Sequence, residues 1–320
     1  MNRRDLLVTA FAAGGLGYSP LEALADSYSP RTVTITVGFA AGGAGDLATR
    51  VIADHVRLTH KIPVGRDFRP GAGGTLAADQ LARAKPDGTT LSLYSASPII
   101  VAPHLQKVPY DPLKDFTYIG SYVAIAIPFF VRSDSRLQGW DNVLEYARAN
   151  PSGLRWATAA PRGVAHIATE AAFAREGVRT TFVPFSGGAE AITALLGGHI
   201  HAVVSSDYGP HLDSGSVRLL IETGPDSIPG LPDVPTFKSR GYPISIPASY
   251  GLIGPAGLPN SVIEWWQNSI RELSQTEVYQ TFLRTIRGTA TLQDPATFTR
   301  TVHDGYRAVG VQLAAMGLKT

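Results

Sequence analysis

Residues 32–50 read TVTITVGFAAGGAGDLATR, and this stretch decides how the rest of the chain is read. Residues 32–37 are β-branched throughout and predict a buried strand. The run Phe39-Ala40-Ala41-Gly42-Gly43-Ala44-Gly45 is too small and too glycine-rich to continue it. Asp46 opens a helical pattern, with Leu47, Val51, Ile52 and Val56 on one side. A strand that passes through glycines into a helix makes an anion site. The first N–H groups of the helix have no intrahelical partner, and the helix dipole favours negative charge there. Glycine also lets a ligand approach the backbone closely. The loop therefore reads as one half of a carboxylate clamp, with Asp46 as the residue that caps the helix and orients a ligand's amine or water.

Outward from this loop the style repeats. A helix over 46–58 leads to a short strand over 61–64, the loop Arg69-Pro70-Gly71-Ala72-Gly73-Gly74, a helix over 75–84 and a strand over 89–94. This βαβαβ order implies a parallel sheet with helices on its faces. Ser95-Ala96-Ser97-Pro98 then lies at the carboxyl edge of the third strand, where open α/β sheets bind ligands. A proline-rich connection over 103–120 leads to an apolar run over 122–132, read as one strand entering a second domain. The βα pattern returns with strands over 154–158, 181–185 and 200–205 and helices over 164–175 and 189–196. Their loops, Ala159–Gly163 and Ser186–Gly188, are again built of small residues. A further strand over 217–223, a loop-rich stretch over 227–247, a strand over 250–254 and three helices close the chain. The expected fold class is α/β in two lobes. Residues 26–121 with 248–320 form the first lobe and 122–247 the second, with helix N-termini converging on a cleft.

Composition narrows the function. The 320 residues are 44% hydrophobic and carry a net charge of +2 without a basic cluster, which argues against a nucleic-acid partner. There is no cysteine, so disulfides, thiol catalysis and a lipoprotein anchor are excluded. Residues 1–25 read as an export signal: Arg3-Arg4-Asp5-Leu6-Leu7, a short Gly/Ala-rich apolar run, and the cleavage pattern Ala23-Leu24-Ala25. Both Sec and twin-arginine routes fit it. No later apolar run is long enough to span a bilayer.

These residues resemble one family, the substrate-binding receptors of tripartite tricarboxylate transporters, often called Bug receptors. The resemblance covers nearly the whole mature chain. It rests on Phe39–Asp46, Arg69–Gly74, Lys85-Pro86-Asp87-Gly88, Val108-Pro109-Tyr110-Asp111-Pro112, His166 with Glu170, Val183-Pro184-Phe185-Ser186-Gly187-Gly188, Pro232-Asp233-Val234-Pro235-Thr236 and Gly254-Pro255-Ala256-Gly257-Leu258-Pro259, in that order. It implies a Venus-flytrap (type II) periplasmic-binding-protein architecture. It also implies capture of a small organic carboxylate between the lobes and delivery to membrane permease subunits. The chain departs from the family pattern at Arg66-Asp67-Phe68, Pro161-Arg162, Phe185, His201 and Ser239.

The expected ligand-binding residues are Phe39, Ala40, Gly42, Gly43, Asp46, Ser95, Ala96, Arg162, Gly163, Phe185, Gly187, Gly188 and Asp207. Arg162 stands at a helix start, where a positive charge works against the dipole, and so reads as a fork for a distal carboxylate. His199 and His201 face opposite sides of a strand, and the other histidines lack a carboxylate at metal spacing, so no metal is expected. No cofactor or catalytic residue is expected either, and the protein is read as a periplasmic monomer. Two alternatives stand beside the receptor. One is a ligand-sensing subunit for a signalling partner. The other is an exported dinucleotide-dependent oxidoreductase, since Gly43-Ala44-Gly45-Asp46-Leu47-Ala48 fits G-x-G-x-x-A with Asp67 beyond it. Against the oxidoreductase, Asp67 reads as a loop residue.

Overall fold

The computed structural model describes residues 28–318; the expected export signal lies outside them. Two mixed sheets organise the chain. In the first, β1 (Val33–Val37) pairs in parallel with β2 (Val64–Phe68) and β3 (Thr90–Tyr94). The helix α1 (Ala44–Thr59) links β1 to β2, and α2 (Thr75–Ala82) links β2 to β3. The long strand β4 (Phe116–Ile125) enters the same sheet after a π turn, Ser97–Val101, and the short helix α3 (Ala102–Leu105). It leaves a place beside β3 that is filled from the far end of the chain by β10 (Ala248–Pro255), antiparallel to both neighbours.

The second sheet begins with β5 (Pro128–Arg132). After α4 (Trp140–Ala149) come β6 (Arg155–Thr158), α5 (Val164–Arg175), β7 (Thr181–Phe182), α6 (Gly188–Leu196) and β8 (Ala202–Val204). The short helix α7 (Gly209–Asp213) and β9 (Val217–Glu222) complete the unit. The strands β6, β7 and β8 are parallel, and β5 joins them to β9 with antiparallel bonds. The chain ends with α8 (Asn260–Ser274), α9 (Glu277–Ile286), β11 (Thr289–Gln293) and α10 (Pro295–Ala315), with β11 edging the first sheet against β4.

Four readings of the sequence are corrected. The apolar run 122–132 is two strands: β4 stays in the first sheet to Ile125, and the second sheet starts at Pro128. The first crossing thus falls at Ala126-Ile127, beyond the expected boundary at 121/122. The second strand is β2, over Val64–Phe68, which places Asp67 in a strand and not in a loop. It is an edge strand with partly exposed residues, so Arg66 and Asp67 fit where a central strand would refuse them. The edge strand β11 lacks an apolar signal for the same reason. The expected strand over 181–185 shrinks to Thr181–Phe182.

Apolar packing holds each sheet on both faces. One cluster runs from Leu81 and Ile99 through Ala96 and Val164 to Trp156 and Phe173, and so is shared by both lobes. Trp140 stacks on Phe173 at 5.5 Å within it. The outer face of the first lobe buries Val51, Ile52 and Val56 of α1 against Trp266 and Ile270 of α8.

The first crossing meets one carboxylate of the second lobe. Glu222, at the end of β9, accepts the N–H of Ile127 at 3.0 Å and that of Gly224 at 2.8 Å. Thr223 donates its hydroxyl to the carbonyl of Ile127 at 2.8 Å. Burial pushes the Glu222 carboxyl up from 4.5 to about 7, against the pull of the two N–H groups. The folded protein therefore holds this proton where an unfolded chain has released it. The stability contributed here is fully present below pH 4.5 and is lost as the pH rises through about 7. The upper bound is about 3 kcal/mol at 1.36 kcal/mol per unit. Glu222→Gln is expected to flatten the fall in melting temperature between about pH 5 and pH 8. A variant whose slope matches the parent would remove Glu222 from the account. Burial also raises the Asp207 carboxyl, which acts with the same sign.

Candidate functional site

The carboxyl edges of the two sheets face each other across a cleft of about 730 Å³, counting its open mouth. Phe39, Ala40 and Gly43 come from the turn after β1, Ser95 and Ala96 from the end of β3, and Tyr250 from β10. Across the cleft stand Thr158 and Ala160 after β6, Gly187 and Gly188 before α6, and Ser205 and Asp207 after β8. The N-termini of α1, α5 and α6 all point at this space, because each follows a parallel strand through small residues.

Asp207 is the centre of the arrangement. Its Oδ1 accepts the N–H of Ala44, the first residue of α1, at 2.6 Å, so a carboxylate of the second lobe sits on a helix N-terminus of the first. The hydroxyl of Ser205 donates to its Oδ2 at 3.1 Å, and Ser205 Oγ in turn accepts the Asp207 N–H at 3.1 Å. The carboxylate is closed in by two glycines. A Cβ on Gly43 would stand 3.0 Å from Oδ1, and one on Gly188 would overlap Oδ2. Burial raises the Asp207 carboxyl above its ordinary range, opposed by the Ala44 N–H and the Ser205 hydroxyl. At the β1–α1 loop, read in the sequence as a seat for a ligand carboxylate, the N-terminal N–H of α1 is engaged by a carboxylate of the chain itself.

Further bonds join the lobes around the cleft. The N–H of Val164, at the start of α5, donates to Ser97 Oγ at 3.1 Å. Ser206 and Tyr250 hydroxyls meet at 3.3 Å. Arg287, just past α9, pairs with Asp213 of α7.

Eight of the expected residues line the cleft: Phe39, Ala40, Gly43, Ser95, Ala96, Gly187, Gly188 and Asp207. Five do not. Asp46 is buried in the first turn of α1, the cap position belonging to Gly43. Its carboxylate pairs with Arg66, accepts the N–H of Gly42 at 2.9 Å and meets Arg50 at 3.3 Å. It braces the loop from behind, and Gly42 is held behind the loop with it. Arg162 and Phe185 line an adjoining groove with Pro161, Gly73 and Gln106. Arg162 is exposed, adopts a left-handed backbone with φ of 61°, and reaches Gln106 Oε1 at 3.4 Å. Gly163 is pressed against Ser97 Oγ, where a Cβ would come within 2.6 Å. Sequence reasoning missed Tyr250, Thr158, Ile125 and Ile127 as lining residues, and read Ser205 equally as a cleft hydroxyl or a plain strand end. Only the end-of-strand position of Ser205 signalled it; Tyr250 and the two isoleucines arrive through the crossings between lobes.

Among the described residues lining the cleft, Asp207 carries the one charge, and there is no histidine. The lining offers hydroxyls, backbone N–H groups and apolar surface. That set can grip an anion through dipoles and hydrogen bonds. Asp67, the acid demanded by a dinucleotide reading, is engaged by Arg69 at 2.9 Å and by Gln80 at 3.4 Å.

Residues 48–316 match the tripartite tricarboxylate transporter family receptor. A protein of the gbd 5′ region of Cupriavidus necator is 31% identical over 275 residues, covering 86% of this chain and 84% of its own length. The structure of the periplasmic binding protein BugD superposes with a TM-score of 0.83 at 26% identity, over 91% of this chain and 99% of that one. MatC of Rhodopseudomonas palustris, solved with bound malate, does so with a TM-score of 0.80 at 27% identity, over 88% of this chain and 99% of that one. The chain belongs to the tripartite tricarboxylate transporter receptor family, and its two lobes are those of a periplasmic binding protein.

Proposed function

We propose that the chain is an exported, monomeric periplasmic receptor that captures a small organic carboxylate between its lobes and hands it to the membrane permease of its transporter. One observation carries the reading: three helix N-termini from two sheets converge on one cleft that contains no cationic side chain among its lining residues. Such a site stabilises an anion with backbone N–H groups and hydroxyls, and waters between them need not weaken it. The malate in MatC supports the same ligand class. Among the described residues no helix is long and apolar enough to cross a membrane.

With the α1 N-terminus already holding Asp207, the ligand carboxylate is assigned to the side of the cleft formed by α5, α6 and Ser95. Phe39, Ala96, Ile125 and Tyr250 enclose its carbon skeleton. Binding is non-covalent and works by favouring the closed arrangement of the lobes. Arg162 in the adjoining groove is positioned for a ligand long enough to leave the main cleft.

A thermal-shift screen over mono-, di- and tricarboxylates, with nicotinamide dinucleotides as a control, tests the reading. A true ligand at about 100 times its dissociation constant should add about 2.7 kcal/mol of stability. A panel in which no carboxylate raises the melting temperature while a dinucleotide does would transfer the site to the oxidoreductase alternative.

A further inference from the structure

The cleft leaves unexplained a cluster at the opposite end of α1. His55 lies in the last turns of that helix, His60 follows its end, and Glu272 stands on α8, which packs against α1. The sequence was read as offering these histidines no carboxylate at metal spacing, and the fold supplies one in Glu272. Glu272 Oε2 is 3.1 Å from His60 Nε2 and 3.6 Å from His55 Nε2. The three candidate ligand atoms all lie within 4.8 Å of one another.

We infer that His55, His60 and Glu272 form a binding site for a divalent late transition-metal ion, Zn²⁺ in the first place. Two imidazoles and a carboxylate are a ligand set suited to such ions and poorly suited to Mg²⁺ or Ca²⁺, which take oxygen. Tetrahedral bonds of about 2.0–2.1 Å set ligand atoms about 3.3 Å apart, and both edges to Glu272 already match. The remaining edge, between the imidazoles, is closed by turning the groups that can move. Glu272 is 48% exposed and His60 25%, whereas His55 is fixed at 10%.

A second observation concerns His55 alone. Its Nε2 is buried without a hydrogen-bond partner, and it faces Glu272 at a distance beyond hydrogen-bond range. The His60 ring is oriented by Trp265, whose ring centre lies 4.8 Å away, and Ser269 Oγ stands 3.5 Å from its Nε2. With three protein ligands the ion would keep one position for water, and it would tie the C-terminal end of α1 to α8.

The test is calorimetric titration of Zn²⁺ into the untagged full chain after stripping with chelator, with Mg²⁺ and Ca²⁺ as controls. One equivalent of Zn²⁺ is expected to bind and raise the melting temperature, and neither control should. Because His55→Ala opens a gap between two packed helices and risks misfolding, His60→Gln and Glu272→Gln carry the decision. Each removes a direct ligand and should weaken Zn²⁺ binding by roughly tenfold or more, the scale seen for lost outer partners. A missing Zn²⁺ response, or an affinity unchanged in either variant, overturns the site. Carboxylate binding in the cleft serves as a separate readout, so failure here leaves the receptor reading intact.

Discussion

Replacing Gly188 with alanine is expected to cut affinity for the carboxylate ligand by at least about a hundredfold, equivalent to about 2.7 kcal/mol. The added Cβ would overlap Asp207 Oδ2 and stand 2.9 Å from Ser205 Oγ. Asp207 has little freedom to yield. Its two oxygens are committed to the Ala44 N–H and the Ser205 hydroxyl, and Gly43 blocks the other side. If the carboxylate moves, the bond between lobes at α1 is lost. If α6 moves, its N-terminus leaves the cleft. Either response spoils the closed arrangement that binding needs. The measurement is isothermal titration of whichever carboxylate raises the melting temperature, with Gly139→Ala as a control. A Cβ added at Gly139 would meet nothing within 4 Å, and the residue lies before α4, away from the cleft. A Gly188→Ala protein that binds like the parent would separate the Asp207 seat from ligand capture.

The second large effect concerns folding. Gly251→Ala is expected to destabilise the protein by about 3 kcal/mol or more, at the upper end of what overpacking costs. Gly251 sits in β10 between β3 and β4, paired with Tyr94 on one side and Ser121 on the other. An added methyl would collide with the carbonyl oxygen of Gly120 and come within 2.9 Å of Ser121 Cα and 3.0 Å of Phe298 Cζ. Backbone atoms of a paired strand cannot rotate out of the way as a side chain can. Relief would require β10 to part from β4 at the register shift between Tyr250 and Gly251. Thermal unfolding should show a drop of several degrees, given roughly 2–4 °C per kcal/mol for chains approaching this size. A melting temperature within a degree of the parent would mean that the strands have slack at this point.

Much of this architecture was legible because its signals are local. The β1–α1 loop, the second strand–loop–helix and the returning βα units announce themselves through β-branched runs that end in small residues. The two-lobed arrangement followed from their repetition. What escaped was set by contacts distant in sequence. The division of 122–132 into β4 and β5 depends on which sheet each half can pair with, and both halves are equally apolar. The edge strands β2 and β11 carry polar residues because one side of each lacks a strand neighbour. At the site, the glycine loop was read as a seat for a ligand carboxylate, and nothing near Asp207 in sequence shows that its own carboxylate crosses to Ala44. Asp46 had the opposite fate. It looked like a cleft residue by position, but Arg66 and Arg50 draw it behind the loop. Arg162, argued from its conflict with the helix dipole, sits in a left-handed turn that carries the guanidinium toward Gln106 and out of the main cleft.

The bond from Ala44 to Asp207 also bears on timing. It is made from the chain's own atoms, so it competes with opening at every turn of the binding cycle. A solute enters through the fraction of molecules in which that bond is parted. At high solute concentration the rate of capture therefore approaches the rate at which Asp207 leaves the helix. The carboxylate that shapes the floor of the cleft is thereby also its clock.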